Sequence, residues 1–187
     1  MKEIKAKKMD VHFSSEKQDW ATPEKLFDQL NAKYGPLELD VCATQSNRKC
    51  PTWLGQQTPD IFVDGLTTIW SMCSVGFGNR QLVQKCWMNP PYGREIKAWV
   101  KKASDEAAKG CTVVCLLPAR LGSRWMRDLI KKPLVASKNL KGWTDELGDW
   151  IEGDTLIVGE LAGRVKFGGA TTAAPFPSMV VIFKPAA

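Results

Sequence analysis

The stretch that most constrains the fold of this chain is Cys86–Gly93, where the apolar residues Cys86-Trp87-Met88 are followed by Asn89-Pro90-Pro91-Tyr92. Proline fixes φ, has no backbone N–H and disfavours the helical conformation in the residue before it. Neither a helix nor a sheet ladder can therefore continue through the two prolines. The sequence predicts a strand that ends at a stiff turn, in which the Asn89 side chain and the Pro90 carbonyl are held in fixed directions.

Such a turn suits the methylation of an amino group whose lone pair is delocalised into a ring or an amide. If the Asn89 side-chain oxygen accepts one N–H and the Pro90 carbonyl accepts the other, the nitrogen lone pair can be aimed at a methyl donor. The Tyr92 ring could stack on the target, as a base lifted out of a duplex requires. We interpret Asn89, Pro90, Pro91 and Tyr92 as candidate catalytic residues. The alternative is an ordinary turn at a strand end, with a tyrosine at its rim.

The size and composition of the chain predict one globular domain. The chain has 187 residues, of which 44% are hydrophobic, enough for one domain with a sizeable core. We expect a flexible basic arm over residues 1–18 and a single domain over residues 19–187. No apolar run approaches the ~20 residues that span a membrane, and no signal peptide is recognisable. We therefore expect a cytoplasmic protein without a membrane partner.

The cysteine and histidine content argues against a metal site. The six cysteines form no C-x-x-C pair, and His12 is the single histidine. We expect free, buried thiols and no bound metal. The scarcity of histidine also argues against Ser-His-Asp and Cys-His hydrolases.

The net positive charge is concentrated between Arg120 and Lys141. The formal net charge is +6, and the segment from Arg120 to Lys141 contains only one acidic residue, Asp128. A polyanionic partner is expected there, although a solvated helix face would have a similar composition. The candidate DNA-binding residues are Arg120, Arg124, Arg127, Lys131 and Lys132.

Two acidic residues follow short apolar runs, Asp40 within residues 37–43 and Asp64 at the end of residues 60–64. Open α/β sheets bind ligands at the ends of their strands, so we expect both carboxylates to flank one crevice that would suit a ligand with a positive charge and a ribose. A turn or capping role is the alternative for Asp64.

The remaining pattern alternates strands with helices. A helix with Thr22 as N-cap and Pro23 at its first position is expected to end at Gly35. A second helix follows from Ile96 to Gly110, between the strand that ends at Asn89 and a strand over residues 111–117. The segment 47–57 has the composition of a surface loop, and residues 164–169 and 177–183 are expected to form an antiparallel C-terminal hairpin. This pattern predicts an α/β fold with a mostly parallel sheet.

Seven short motifs together resemble the bacteriophage and prophage family of DNA N6-adenine methyltransferases, the small Dam-like enzymes. The motifs lie at residues 19–23, 39–43, 64–66, 89–92, 117–125, 163–167 and 174–178. The resemblance implies a Rossmann-like methyltransferase fold that uses S-adenosylmethionine as its only cofactor, in the cytoplasm of a bacterial host. It also implies a cofactor site, whose residues are Trp20, Thr22, Pro23, Asp40, Ala43, Asp64, Leu66 and Asn89. Asn89, Pro90 and Tyr92 would hold the target adenine.

The sequence therefore predicts a site-specific DNA adenine N6-methyltransferase. The same Asn-Pro-Pro-Tyr turn also serves enzymes that methylate cytosine N4, RNA adenine or a protein glutamine, because all present a similar deactivated nitrogen. The basic segment favours a nucleic acid over a protein substrate. A non-catalytic nucleic-acid-binding module on the same fold is a further alternative, against which the intact Asn89 and Tyr92 argue.

Overall fold

The computed structural model describes residues 20–58, 60–75, 81–168 and 170–185. The basic arm expected at residues 1–18 lies outside the described residues. The strands are β1 (Leu39–Thr44), β2 (Thr52–Thr58), β3 (Ile61–Val63), β4 (Ser74–Val75), β5 (Gln81–Leu82), β6 (Lys85–Met88), β7 (Thr112–Pro118), β8 (Lys141–Asp145), β9 (Gly148–Glu152), β10 (Leu156–Leu161) and β11 (Ser178–Phe183). The helices are α1 (Glu24–Tyr34), a 3₁₀ turn (Trp70–Met72), α2 (Ile96–Ala107), α3 (Arg124–Met126), a π-helical turn (Arg127–Lys131) and α4 (Lys132–Ala136).

Within the described residues, nine strands form one mixed sheet in the order β3-β2-β1-β6-β7-β11-β10-β9-β8, and β4 and β5 pair separately. The contacts β2–β1, β1–β6 and β6–β7 are parallel, whereas the five others are antiparallel. The expectation of a mostly parallel sheet is therefore wrong. Residues 146–147 and 153–155 join β8, β9 and β10, and connections this short permit only antiparallel pairs.

The C-terminal antiparallel pair exists, but its first strand is not the expected one. The predicted strand over residues 177–183 is confirmed as β11, and it pairs with β10 rather than with residues 164–169. The backbone of Val165 instead accepts a hydrogen bond from Ala174 N–H, and Gly168 N–H donates to Ala21. The expected loop over residues 47–57 is also wrong in part, because β2 begins at Thr52 and pairs with β1.

The helices cover the central strands. In α1, Phe27 and Leu30 are buried, and the Phe27 ring meets Trp87 of β6 edge-on at 5.4 Å between ring centroids. Helix α2 packs against β7 and β11, whose side chains are buried almost without interruption. Continuous burial of this kind means that both faces of these strands are covered. No helix in the described ranges is long and apolar enough to span a bilayer.

The chain order reverses between β1 and β6, since β2 lies on one side of this pair and β7 on the other. In open α/β sheets, ligands bind outside the carboxyl ends of the strands at such a switch point. The turn that contains Asn89 directly follows β6. The fold therefore places the candidate catalytic residues at the position where a sheet of this kind offers a crevice.

Candidate active site

Asn89 is held by the loop that precedes α1. Its side-chain Nδ2 donates to the carbonyl oxygen of Trp20 and, across 3.0 Å, to the hydroxyl of Thr22. The helix begins at Glu24 with Pro23 in the N-cap position, so Thr22 is not the cap that the sequence suggests. Its buried hydroxyl is free to orient the Asn89 amide. The two acceptors fix the NH₂ group, and the Oδ1 oxygen therefore points away from this loop.

Tyr92 lies inside the protein, next to that oxygen. Its side chain is 7% exposed, and its hydroxyl donates to Asn89 Oδ1 across 2.9 Å, with the Leu116 carbonyl as a second, more distant acceptor at 3.3 Å. Burial raises the pKa of the Tyr92 phenol well above its usual value, so the hydroxyl stays a neutral donor. The sequence argument used only the ring of Tyr92, and the hydrogen bond to Asn89 is a role that it missed.

Two phenylalanines contact the Tyr92 ring, and Trp20 packs on both of them to complete an aromatic cluster. The Tyr92 ring meets Phe167 and Phe176 at 6.0 and 5.6 Å between centroids, in edge-on arrangements. Trp20 contacts the same two phenylalanines at 5.3 and 5.6 Å. Edge-to-face pairs at these distances are the favoured geometry. The cluster joins the loop before α1, the Asn89 turn and the segments after β10. The sequence pattern did not predict that the segments after β10 contact the Asn89 turn.

A small cavity lies beside Asn89, and we refer to it as the cofactor cavity. Its volume is about 30 Å³, and it is lined by Trp20, Ala21, Thr22, Asp40, Cys42, Asn47, Lys49, Trp87, Asn89 and Pro91. A space of this size holds about one water molecule. Four of the residues expected to contact a cofactor, namely Trp20, Thr22, Asp40 and Asn89, therefore meet at one place.

Asp40 is the buried ionisable group of this cavity. It is 3% exposed, and its carboxylate accepts the backbone N–H groups of Cys42 and Lys49 at 3.4 and 3.0 Å. Burial raises the pKa of Asp40 to about 7, although both hydrogen bonds and the charge of Lys49 oppose this shift. Within the described ranges the carboxylate makes no ion pair. The site can therefore accept a cation, which would favour the ionised carboxylate.

Asp64 forms the second acidic turn. Asp64 Oδ1 accepts the N–H of Leu66 across 2.9 Å, and the Asp64 carbonyl accepts both the N–H and the hydroxyl of Thr68. Strand β3, which Asp64 follows, runs antiparallel to β2, and Val63 pairs with Gly55. Neither Asp64 nor Leu66 lines the cofactor cavity. A shared crevice for the two acidic turns therefore stays a prediction.

Two further predicted cofactor residues lie near the cavity without lining it. Ala43 is buried in β1, where it pairs with Gly55 of β2. Pro23 faces a separate groove on the other side of the loop before α1. The side chains and backbone that do line the cavity include Lys49, which the sequence analysis did not select because the segment 47–57 was interpreted as a surface loop.

The five basic residues after β7 form an exposed basic face. Of these five residues, Arg120 lies nearest to the Asn89 turn, because its Nη2 donates to the Tyr92 carbonyl across 3.3 Å. Arg127 and Lys132 both pair with Asp128, at 3.1 and 3.0 Å. The full set is Arg120, Arg124, Arg127, Lys131 and Lys132.

The cysteines and acidic residues do not assemble a metal centre in the described part of the chain. All six cysteines are free thiols there, and Cys50, Cys86, Cys111 and Cys115 are buried. No cluster of three or more histidine, cysteine, aspartate or glutamate side chains with metal-binding geometry is found among those residues. Burial raises the pKa of the Cys42 thiol well above its usual value, so this cavity-lining cysteine is a poor nucleophile.

Comparison with known proteins gives one consistent result. A family model described as DNA N-6-adenine-methyltransferase (Dam) matches residues 11–186. A DNA N-6-adenine-methyltransferase of Escherichia phage T1 is 29% identical over 109 residues, which cover 58% of this chain and 39% of the phage protein. A protein of the same name from Haemophilus phage HP1 (strain HP1c1) is 25% identical over 174 residues, which cover 92% of this chain and 82% of the relative.

Proposed function

This chain belongs to the DNA N-6-adenine-methyltransferase (Dam) family, and on that premise we propose that it transfers a methyl group from S-adenosylmethionine to the N6 amino group of adenine at specific sites in DNA. The observation that carries this proposal is the anchored amide of Asn89. Its NH₂ group is held by Trp20 and Thr22, and its oxygen is thereby presented at the end of β6, beside the cofactor cavity.

The cavity has the chemistry that a sulfonium cofactor requires. S-adenosylmethionine carries positive charge on its sulfur and its amino group, and when bound it supplies the methyl group. Asp40 offers a buried carboxylate without an ion pair in the described ranges, and Trp20 offers an aromatic face beside it. Trp20, Thr22, Asp40 and Asn89 would hold the cofactor. The cavity of about 30 Å³ is smaller than the cofactor, so only part of the cofactor would lie inside it.

The chain's own residues account for the handling of the target amine. Asn89 Oδ1 and the Pro90 carbonyl accept the two N–H hydrogens of adenine N6, and so direct the nitrogen lone pair toward the methyl donor. Tyr92 supports Asn89 through its hydroxyl. One N–H proton leaves the product nitrogen after transfer. Roles for Pro23, Ala43, Asp64 and Leu66 toward the cofactor stay predictions, as does stacking of Tyr92 on the base.

The strand directions support a Rossmann-like methyltransferase fold. Strand β11 is antiparallel to both of its neighbours, β7 and β10. Strand β10 therefore has the same direction as the parallel strands β2, β1, β6 and β7. Among these central strands, only β11 is reversed. Its reversal does not affect the switch point between β1 and β6, where open α/β sheets bind ligands.

The test is a methyl-transfer assay with four acceptor pools. The protein is incubated with tritiated S-adenosylmethionine and with duplex DNA, single-stranded DNA, RNA or protein, and the labelled nucleosides are identified. We expect N6-methyladenine in DNA from the wild-type protein and from Asn139→Ala, which alters an exposed loop amide. Asn89→Ala should keep most of its cofactor affinity in calorimetry, because Trp20, Thr22 and Asp40 still line the cavity, and should transfer no methyl group. Label in N4-methylcytosine, RNA or protein alone would overturn the proposal.

A further inference from the structure

A groove of about 360 Å³ lies on the other side of the loop before α1, and we refer to it as the second groove. It is lined by Pro23, Lys25, Leu26, Gln29, Glu146, Leu147, Leu161, Ala162, Gly163, Arg164, Val165 and Lys166. Pro23 directly follows Thr22, which lines the cofactor cavity. One short stretch of backbone therefore separates this groove from the candidate active site. Its volume is typical of a ligand site.

The segment from Arg164 to Phe167 places its basic side chains outward. Val165 and Phe167 are buried, whereas Arg164 and Lys166 are exposed. The backbone is fixed at both ends of this stretch, because Val165 accepts from Ala174 N–H at 2.9 Å and Gly168 donates to Ala21 at 2.7 Å. This alternating burial puts the two cations on the same, exposed side of the segment.

Aromatic contacts connect the segment from Arg164 to Phe167 with the active site. Phe167 contacts the rings of Trp20 and Tyr92, and both of these residues contact Asn89. Tyr92 lies between two groups of basic residues. Its carbonyl accepts a hydrogen bond from Arg120 of the basic face. Its ring contacts Phe167, in the segment that carries Arg164 and Lys166. A DNA strand that delivers a base to Asn89 would therefore pass between these two groups.

The second groove combines an apolar floor with a cationic rim. Leu26, Leu147 and Leu161 contribute apolar surface, and Lys25, Arg164 and Lys166 face a single acidic residue, Glu146. A nucleotide has the matching chemistry, since its base is a flat and weakly polar ring and its phosphate is an anion. Bases in DNA-binding grooves rest on apolar or aromatic surface while basic side chains contact the backbone.

We propose that the second groove binds a nucleotide that flanks the target adenine, with Arg164 and Lys166 on its phosphates. This inference rests on the proposed function for the identity of the ligand. It assigns a DNA-contacting role to a stretch for which the sequence analysis predicted only a strand and a motif of the resemblance. It also gives the protein a contact close to the methylated base, where the identity of a neighbouring base could be sensed.

The first test measures DNA affinity against salt concentration, by fluorescence anisotropy with a labelled duplex. Each phosphate contact contributes about 0.9 to the log–log slope, so Arg164→Gln/Lys166→Gln should flatten the slope by about 1.8 and weaken binding at least about tenfold at low salt. The matched control is Lys138→Gln/Lys141→Gln. Lys141 begins the edge strand β8 and Lys138 lies just before it; both are exposed, and their loss should change neither quantity. Equal effects of the two double variants would overturn the inference.

A second pair of variants adds charge without removing a contact. Ala162 is exposed on the groove, and its backbone N–H bonds to the Leu147 carbonyl, an interaction that a longer side chain leaves intact. Ala162→Glu should weaken DNA binding severalfold, whereas Ala162→Gln should not, and both should bind S-adenosylmethionine as the wild type does. Equal DNA affinity in the two variants would refute a phosphate in this groove.

Different results would contradict the proposed methyl transfer and the proposed nucleotide site in the second groove. If the wild-type protein methylates no DNA but the salt slope still responds to Arg164 and Lys166, the proposed reaction is wrong and the groove stands as a nucleic-acid site. If DNA is methylated with unchanged KM in Arg164→Gln/Lys166→Gln, the reaction stands and the groove inference is wrong.

Discussion

The Tyr92 hydroxyl donates to Asn89 Oδ1 across 2.9 Å, so the oxygen assigned to the target amine already has a donor within the protein. A carbonyl oxygen has two lone pairs and can accept a second N–H while this bond persists. The Asn89 amide is therefore held from both sides, by Trp20 and Thr22 at its nitrogen and by Tyr92 at its oxygen. Such an arrangement orients the acceptor before any substrate arrives.

The first prediction concerns the hydroxyl group of Tyr92. Tyr92→Phe should lower the free energy of unfolding by about 1 kcal/mol, the usual net value of one hydrogen bond, and should lower kcat about fivefold because Asn89 loses one of its constraints. The control is Tyr34→Phe, at the only other tyrosine, whose buried hydroxyl has no hydrogen-bond partner among the described residues. Denaturant unfolding and steady-state kinetics measure both effects. Full activity in Tyr92→Phe would show that only the ring matters.

Thr22 gives a second prediction, because its hydroxyl is an acceptor for Asn89 Nδ2 at 3.0 Å. Thr22→Val keeps the shape of the side chain but removes this acceptor, and we expect kcat to fall about tenfold, equivalent to one lost hydrogen bond to a positioned group. Thr22→Ser restores the hydroxyl and should restore most of kcat. Single-turnover rates and calorimetric cofactor affinity separate positioning from binding. If serine is no better than valine, the hydroxyl has no positioning role.

The local sequence pattern was sufficient to predict the turn at Asn89 and the helix that precedes Gly35. Two prolines after an apolar run allow few conformations, and the apolar spacing of Phe27 and Leu30 matches one helical face. The relation between Thr22 and Asn89 was not predictable in this way. These residues are 67 positions apart, and only the tertiary fold brings them together.

The strand directions were predicted less well than the strand positions. The sequence predicted a parallel crossover through α2, and β6 and β7 are indeed parallel. The expectation of parallel pairing was then extended to the whole sheet. Strands β8, β9 and β10 follow one another through connections too short for a crossover and must be antiparallel. Strand β2 was missed because its second half, Gln56-Gln57-Thr58, is polar and lies next to the edge strand β3.

The third prediction is a pH dependence that originates at Asp40. Its pKa is raised to about 7, mainly by burial, while the same carboxyl in an unfolded chain titrates near its ordinary value of 3.8. The folded state therefore holds this proton more tightly. The stabilising contribution is fully present below about pH 4 and is lost as the pH rises through 7. Without cofactor, the free energy of unfolding should decline over this window.

Cofactor binding should show the opposite trend, since a cationic ligand prefers the ionised carboxylate. The affinity for S-adenosylmethionine should rise between about pH 6 and pH 8, and binding below pH 7 should release a proton from Asp40. Calorimetry in buffers of different ionisation enthalpy measures this release. Asp40→Asn should remove the pH dependence and weaken binding. A cofactor affinity that is independent of pH in the wild type would contradict the assignment of Asp40 to the cofactor.

The last prediction uses Asp128 to test the basic face. This exposed carboxylate pairs with Arg127 and Lys132, and hydrogen bonds from these two side chains lower its pKa to about 2. It therefore stays ionised at any working pH and competes with DNA phosphates for both cations. Asp128→Asn releases them, so DNA affinity at low salt should increase, and the log–log salt slope should steepen by up to about 1.8, the value of two phosphate contacts.

Glutamine substitutions on the same face complete this test. Arg124→Gln should flatten the slope by about 0.9, because Arg124 is exposed and makes no ion pair among the described residues. Arg127→Gln in the wild-type background should have a smaller effect, because Asp128 already neutralises part of its charge. In the Asp128→Asn background the effect of Arg127→Gln should grow to that of Arg124→Gln. A salt slope that stays the same in all of these variants would show that this helical surface is only solvated and that the DNA backbone lies elsewhere on the protein.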